Sequence, residues 1–140
     1  MRRFEEYVKG KIVRKRTPDL NRAAYLKKEA LNREKFISEL LKIKQLTDEN
    51  ANYFIEMCYN VIMELIRSKM LEKGLMASGD YSHEAEVAFL SVLGFSEEKV
   101  ILADEVRKAR NGILYYGRIF DKEFALKVLE LMREVVERFG

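Results

Sequence analysis

The chain has 140 residues, of which 48% are hydrophobic and 35% charged, and its 26 basic and 23 acidic side chains give a net charge of +3. This balance excludes an intrinsically disordered chain and also a membrane-spanning one, because no uncharged run approaches the length of a bilayer-crossing helix. We therefore expect a soluble single domain over residues 1–140, large enough to bury roughly two-thirds of its unfolded surface. The charged N-terminus lacks an apolar signal region, which predicts a cytoplasmic location and no membrane association.

Basic side chains are concentrated near the N-terminus, where residues 1–35 hold 12 basic and 5 acidic side chains. Five of them form a cluster: Lys9, Lys11, Arg14, Lys15 and Arg16. The cluster could neutralise phosphates. The alternative is a solvated helical arm over residues 1–18 without a ligand.

The first half of the chain predicts three helices and no strand, because no sustained two-residue alternation occurs. The first helix is expected from Phe4 to about Arg14, ending before Thr17-Pro18-Asp19, since Pro18 disfavours helical geometry at the preceding residue. The second is expected from Asp19 to Lys44. The third begins after the capping sequence Thr47-Asp48-Glu49, continues to about Lys73 and ends at Gly74.

After Gly74 we expect a loop over residues 75–81, followed by a short helix that Ser82 caps and that ends before Gly94. Ser96 with two acidic residues begins the next helix, and the last begins near Asp121. The prediction is an all-α fold, an antiparallel helical bundle of four main helices plus short extra helices.

Apolar residues at helical spacing predict the side of each helix that faces the core. The core positions are Ala23, Ala30, Ile37, Leu40 and Leu41 in the second helix, Phe54, Ile55, Cys58, Val61, Ile62, Leu65 and Ile66 in the third, Val100, Ala103, Val106, Ala109 and Ile113 in the fifth, and Phe124, Val128, Leu129, Met132, Val135, Val136 and Phe139 in the last.

Metal and cofactor chemistry is not indicated. His83 is the only histidine and Cys58 the only cysteine, and the carboxylates do not have ligand spacing. No Gly-Lys-Ser or Gly-Lys-Thr signature follows a strand, so a phosphate-binding loop is equally unsupported. We expect no metal and no cofactor.

His83 and Cys58 are the remaining reactive side chains. His83 could act as a general acid or base, but it follows a capping serine, and we interpret it as a structural residue that fixes the loop, as Gly74 is structural at its helix end. Cys58 lies among apolar residues at helical spacing, which favours a core position over a nucleophile.

The sequence Arg110-Asn111-Gly112-Ile113-Leu114-Tyr115-Tyr116-Gly117 is the strongest functional candidate, because it places a cation, an amide and two phenols where a core helix would carry Leu and Ala. Arg offers a rigid donor fork matched to phosphate oxygens, and Asn can pair with a base edge. A buried pair between Arg110 and a carboxylate on another helix is the competing interpretation. Tyr115 and Tyr116 could stack on bases or simply pack.

Over about residues 20–138 the chain resembles the HEPN domain family (higher eukaryotes and prokaryotes nucleotide-binding). The resemblance includes Asn50, Tyr53 and Tyr59 along the third helix, Gly74 at its end, the Ser82-His83 pair and the Arg110-Asn111 pair. Members are all-α bundles that usually form homodimers, with an Arg, a few variable residues and a His in a cleft at the dimer interface. Active members are metal-independent ribonucleases, and many are toxins encoded beside a minimal nucleotidyltransferase antitoxin.

The resemblance implies that Arg110 corresponds to the family's Arg, that Asn111 corresponds to the polar residue that often follows it, and that Tyr115 stands in place of the histidine. Imidazole exchanges a proton near neutral pH, whereas a phenol is a poor base there. The expected function is therefore RNA or nucleotide binding by Arg110, Asn111, Tyr115 and Tyr116 in a homodimer, with a minimal nucleotidyltransferase as partner. The alternatives are a metal-independent ribonuclease that uses Arg110 and Tyr115 as catalytic residues, and a helical scaffold without catalysis.

Overall fold

The structure is a computed structural model, described over residues 1–139. It is an all-α bundle with one small two-stranded sheet, so the predicted fold class is confirmed. In chain order the elements are α1 (Phe4–Lys9), β1 (Val13–Lys15), α2 (Leu20–Ile43), α3 (Ala51–Glu72), β2 (Leu75–Ala77), α4 (Ser82–Val92), α5 (Glu97–Tyr116) and α6 (Lys122–Phe139).

Helix α3 is the central element of the bundle, and α2, α4, α5 and α6 all pack against it. Twelve of its residues are buried, among them Phe54, Ile62 and Ile66. Apolar residues on three sides of this helix explain that position, because each side must be covered by another helix. The face that includes Tyr59 and Arg67 meets α4 and α5, where the charged side chains described below are found.

The predicted core positions are confirmed. All of them are buried except Leu40, Leu41, Ile113, Phe124 and Val136, which are partly buried and pack against the same core.

The N-terminal prediction was wrong in one respect, because α1 ends at Lys9 rather than near Arg14. Gly10 caps the helix, and Lys11 adopts a left-handed conformation with φ of 61°, which turns the chain out of the helix. Val13, Arg14 and Lys15 then form strand β1. Residues 1–18 are therefore not a free helical arm, since Phe4, Tyr7 and Val13 are buried in the core.

The expected loop over residues 75–81 also contains a strand. Strand β2 pairs antiparallel with β1, and Val13 lies opposite Ala77, Arg14 opposite Met76 and Lys15 opposite Leu75. Three residues are too few to show a two-residue alternation in sequence, and the pairing partners are far apart along the chain.

Most predicted helix ends are confirmed, although two caps differ. The Asp19 carboxylate accepts a hydrogen bond from the Arg22 amide, and the Asp121 carboxylate accepts one from the Phe124 amide. However, α3 is preceded by Asn50, which exchanges hydrogen bonds with Thr47, and Tyr81 rather than Ser82 precedes α4. None of the helices within residues 1–139 is both long and apolar enough to span a bilayer.

Gly74 provides a test of the link between α3 and the sheet. It has φ of 69°, its carbonyl accepts a 2.7 Å hydrogen bond from the Arg16 amide, and an added Cβ would collide with the backbone oxygen of Arg16. Gly79 has φ of 89°, but an added Cβ there would meet open space. It is therefore a control that also has a positive φ but no collision.

We expect Gly79→Ala to lower the free energy of unfolding by about 1–2 kcal/mol, the strain of a left-handed alanine. Gly74→Ala should lower it by at least about 1 kcal/mol more, because the hairpin backbone must also move. Urea denaturation followed by circular dichroism measures both changes. Equal losses would show that the close approach of Gly74 and Arg16 is unimportant.

Candidate functional site

Arg110 lies near the end of α5, at the edge of the face that packs on the core. Ser96 caps this helix through its hydroxyl, and Val106 and Ala109 are buried. Arg110 is half-buried, and its guanidinium carbon lies 5.5 Å from the centroid of the Tyr59 ring on α3. This geometry is that of a cation–π contact, which restricts where the guanidinium can point.

The basic neighbours of Arg110 are paired with carboxylates, whereas Arg110 is not. Arg67 Nε lies 2.7 Å from Glu86, and Arg107 Nε lies 2.8 Å from Asp104. Within residues 1–139, no carboxylate oxygen lies within 4.0 Å of the guanidinium nitrogens of Arg110. The buried pair between Arg110 and a carboxylate, which was the competing interpretation of the sequence, is therefore not present within residues 1–139.

We call the group formed by Tyr59, Arg67, Glu86, Arg107 and Arg110 the Tyr59 cluster. Burial raises the pKa of Tyr59, and the nearby positive charges of Arg110, Arg67 and Arg107 act in the opposite direction. The Tyr59 phenol is therefore neutral near pH 7 and faces three cations. Glu86 balances Arg67 and Asp104 balances Arg107, so Arg110 is the cation of the cluster that could still bind an anion.

Within the cluster, Arg67 and Glu86 form a partly buried charge pair. Burial alone would lower the pKa of Arg67, but the hydrogen bond and negative charge of Glu86 outweigh burial and raise it. Two guanidinium nitrogens of Arg67 donate to Glu86, at 2.7 and 3.3 Å. This bidentate contact fixes the side chain of Arg67 between α3 and α4.

The other candidate residues of α5 do not share a face of the helix with Arg110. The helix is continuous through Gly112 to Tyr116, so Tyr115 is turned by about 140° from Arg110. Asn111 is half-buried and lies on the same face as Tyr115, one turn before it. Within one chain, the structure thus does not bring Arg110 and Tyr115 to a common point.

Tyr115 and Tyr116 are 72% and 79% exposed, so they are not core tyrosines. With Leu114 and Ile119 they form an exposed group of large side chains at the end of α5, which we call the α5 tip. An exposed apolar group at a helix end is a candidate surface for binding another molecule.

Gly117 ends α5, and Gly112 shapes the turn that follows. Gly117 adopts a left-handed conformation with φ of 64°, and the Arg118 amide donates to the Gly112 carbonyl over 3.1 Å. The Arg118 side chain lies directly against Gly112, where a Cβ would be only 2.9 Å from it. A glycine at position 112 therefore lets Arg118 fold back along α5.

Asn52 of α3 holds the turn after α5 in place. Its amide donates a 2.8 Å hydrogen bond to the Arg118 carbonyl and accepts a 3.0 Å bond from the Phe120 amide. Sequence reasoning missed this residue. The only sequence feature that could have indicated it is a polar amide in the otherwise apolar first turn of α3.

His83 has a carboxylate beside it that sequence reasoning also missed. Its Nδ1 atom lies 3.0 Å from Glu86 and 3.1 Å from Arg67, and its side chain is 54% exposed. The signal in the sequence was the three-residue spacing of His83 and Glu86, which puts both on one helix face. His83 thus contacts the edge of the Tyr59 cluster.

Cys58 lies in the core, as its spacing predicted, and burial raises its pKa to about 12. The thiol is therefore protonated at neutral pH and enclosed by apolar neighbours, so it is not a nucleophile. Within the described part of the chain, no three His, Cys, Asp or Glu side chains form a group that could hold a metal ion.

The Arg67–Glu86 pair predicts a measurable coupling. Arg67→Met would leave the carboxylate of Glu86 enclosed without its partner and should lower the free energy of unfolding by about 2 kcal/mol at pH 7. This value is below that for a fully buried pair, because the Arg67 side chain is 36% exposed. Adding Glu86→Leu to Arg67→Met should restore most of the lost free energy of unfolding, because no unpaired charge then remains.

Lys99→Met is the matched control, since it breaks a more exposed pair with Glu134 and should cost less than about 1 kcal/mol. Chemical denaturation of the single and double variants measures the coupling. Additive losses for Arg67→Met and Glu86→Leu would contradict a coupled pair.

Comparisons with protein-family models, with curated proteins and with solved structures found no match for this chain. The HEPN resemblance therefore stays a prediction from the residues quoted above.

Proposed function

We propose that this protein binds RNA or a nucleotide in the manner of HEPN domains and that Arg110 is its phosphate-binding residue. One observation carries the proposal: Arg110 is half-buried against Tyr59 and has no carboxylate partner, although Arg67 and Arg107 beside it each have one. An arginine that only supported the fold would be expected to form such a pair.

The surroundings of Arg110 suit a phosphate for two reasons. Its guanidinium is restrained by the Tyr59 ring, so less side-chain entropy is lost when an anion binds. Its neighbours Arg107 and Lys108 add positive potential, although both contact Asp104. A charge-assisted bond from a partly desolvated guanidinium is stronger than one from a freely moving surface lysine.

The α5 tip supplies surfaces for bases. Tyr115 lies about 7.5 Å beyond Arg110 along the helix axis, on another face, and Tyr116 is equally exposed. One residue can therefore hold a phosphate while a tyrosine stacks on a neighbouring base, without both reaching the same atom. Asn111, on the same face as Tyr115, offers an amide for a base edge.

The same tip suits a homodimer. Leu114 lies one turn after Arg110 on nearly the same face and is 49% exposed, and Ile119 is 84% exposed. A two-fold contact through these side chains would bring two Arg110 residues towards one cleft, and it would set the tip of one copy beside Arg110 of the other. A minimal nucleotidyltransferase partner, which the family resemblance implies, completes the proposal.

Binding is proposed ahead of the two alternatives. Catalysis by Arg110 and Tyr115 would require a proton acceptor at neutral pH, and a phenol is a poor base there even if the partner copy places Tyr115 beside Arg110. A pure scaffold leaves the unpaired arginine and the exposed tyrosines without a role.

The first prediction concerns RNA affinity. Arg110→Ala should weaken binding of a fluorescently labelled single-stranded RNA by about tenfold or more, because it removes a charge-assisted contact. Lys9→Ala and Lys15→Ala should each change it by less than about threefold, since both side chains are exposed. Fluorescence anisotropy with a metal chelator present measures the dissociation constants.

Equal losses at all three positions would indicate nonspecific attraction of phosphate and contradict the proposal. The same samples analysed on a gel report cleavage. Cutting by the wild type that disappears in Arg110→Ala would identify a ribonuclease instead of a binding protein.

The second prediction concerns assembly. The wild type should be a dimer at micromolar concentration by multi-angle light scattering, and Leu114→Asp or Ile119→Asp should make it monomeric by burying a charge in the contact. Val92→Asp is the control, because Val92 is 48% exposed at the end of α4, distant from the tip. A monomeric wild type would contradict the two-fold arrangement.

A further inference from the structure

A pocket of about 350 Å³ lies between α2, α3, strand β2 and the start of α4. It is separate from the α5 tip and does not include Arg110. The residues that define its two sides are Arg22, Leu26, Arg67, Met70, Leu75 and His83.

One side of the pocket is apolar. Leu26 comes from α2, Met70 from α3 and Leu75 from β2, and Met76 and Ala77 of the same strand complete this wall. Thioethers such as those of Met70 and Met76 make favourable contacts with flat rings. This wall exists only because β2 pairs with β1 and closes over the end of α3.

The other side is polar, and its charges are arranged by the Arg67–Glu86 pair. Glu86 is 6% exposed and accepts two hydrogen bonds from Arg67, so its negative charge is matched. His83 directs Nδ1 towards the same pair, which leaves its Nε2 atom available for another partner.

Arg22 provides a cation whose charge is not matched. Within residues 1–139, no carboxylate oxygen lies within 4.0 Å of its guanidinium nitrogens. The N-terminus of α4, at Ser82 and His83, faces the same pocket and adds a positive dipole end. The polar side thus favours an anion.

We propose that this pocket binds a phosphomonoester that carries a flat ring, as in a nucleoside monophosphate, with the phosphate held by Arg22 and His83 and the ring packed on the apolar wall. The volume lies at the lower end of the range for small-molecule sites, about 300–1,000 Å³, which suits a compact ligand rather than a long acyl chain. The planar guanidinium of Arg22 matches phosphate oxygens. This site shares Arg67 and Glu86 with the Tyr59 cluster, but Arg110 does not line it.

The test is calorimetric titration of the purified protein with adenosine 5′-monophosphate as the probe. We expect saturable binding, and the variants below assign it to the pocket. Arg22→Met and His83→Gln should each weaken it by about tenfold, the effect of losing one contact to a charged group. Ala77→Phe should weaken it at least as much by filling the pocket, although it changes no charge.

Lys28→Met is the control, because Lys28 is an exposed lysine of α2 that does not line the pocket, and it should change binding by less than about twofold. Adenosine and inorganic phosphate should each bind at least about tenfold more weakly than the monophosphate, since adenosine lacks the phosphate and inorganic phosphate lacks the ring.

Four results would overturn the proposal. They are no binding of the monophosphate, equal binding of adenosine or of phosphate alone, unchanged binding by Ala77→Phe, and equal losses for Lys28→Met and Arg22→Met. Circular dichroism of each variant separates a lost contact from a lost fold.

Discussion

The burial of α3 is the constraint on which the rest of the structure depends. Twelve of its 22 residues are buried, so four other helices must cover it, and one group of charged side chains lies in the seam where α3 meets α4 and α5. Charges in such a seam are costly unless they are matched. Arg67 with Glu86, and Arg107 with Asp104, satisfy this requirement through short contacts.

Arg110 differs from these neighbours because its contact in the seam is the ring of Tyr59. A half-buried guanidinium held in this way loses part of its hydration and receives only a cation–π interaction in return. An anion from outside would supply the missing partner. The cost of leaving Arg110 unpaired is thus the physical reason for assigning it a binding role, and the exposed tyrosines of the α5 tip extend that role towards nucleic acid.

The sequence predicted the helices well because their apolar positions repeat at helical spacing over many turns. Phe54 to Ile66 in α3 and Val128 to Phe139 in α6 are examples of such runs. It did not predict the hairpin, whose strands of three residues show no periodicity and whose pairing joins Val13 to Ala77. Gly10 was the local signal for the end of α1, but the basic residues after it resembled a continuing helix.

The site was predictable only in part. The position of Arg110 at the edge of an apolar stripe follows from helical spacing, but the absence of a carboxylate partner depends on how α3, α4 and α5 meet. The contact between His83 and Glu86 could be found from their spacing, whereas Arg67 and Arg22 reach the same pocket from other helices. Contacts between elements of this kind require the tertiary structure.

The state of the Arg110 side chain in the presence of RNA tests the central claim most directly. Nuclear magnetic resonance of the arginine Nε–H groups, with the Arg110 signal assigned from an Arg110→Lys variant, follows each guanidinium separately. We expect single-stranded RNA to shift the Arg110 signal and to slow its exchange with water, while the signals of the paired Arg67 and Arg107 change little. An unchanged Arg110 signal, or equal shifts at all three arginines, would contradict it.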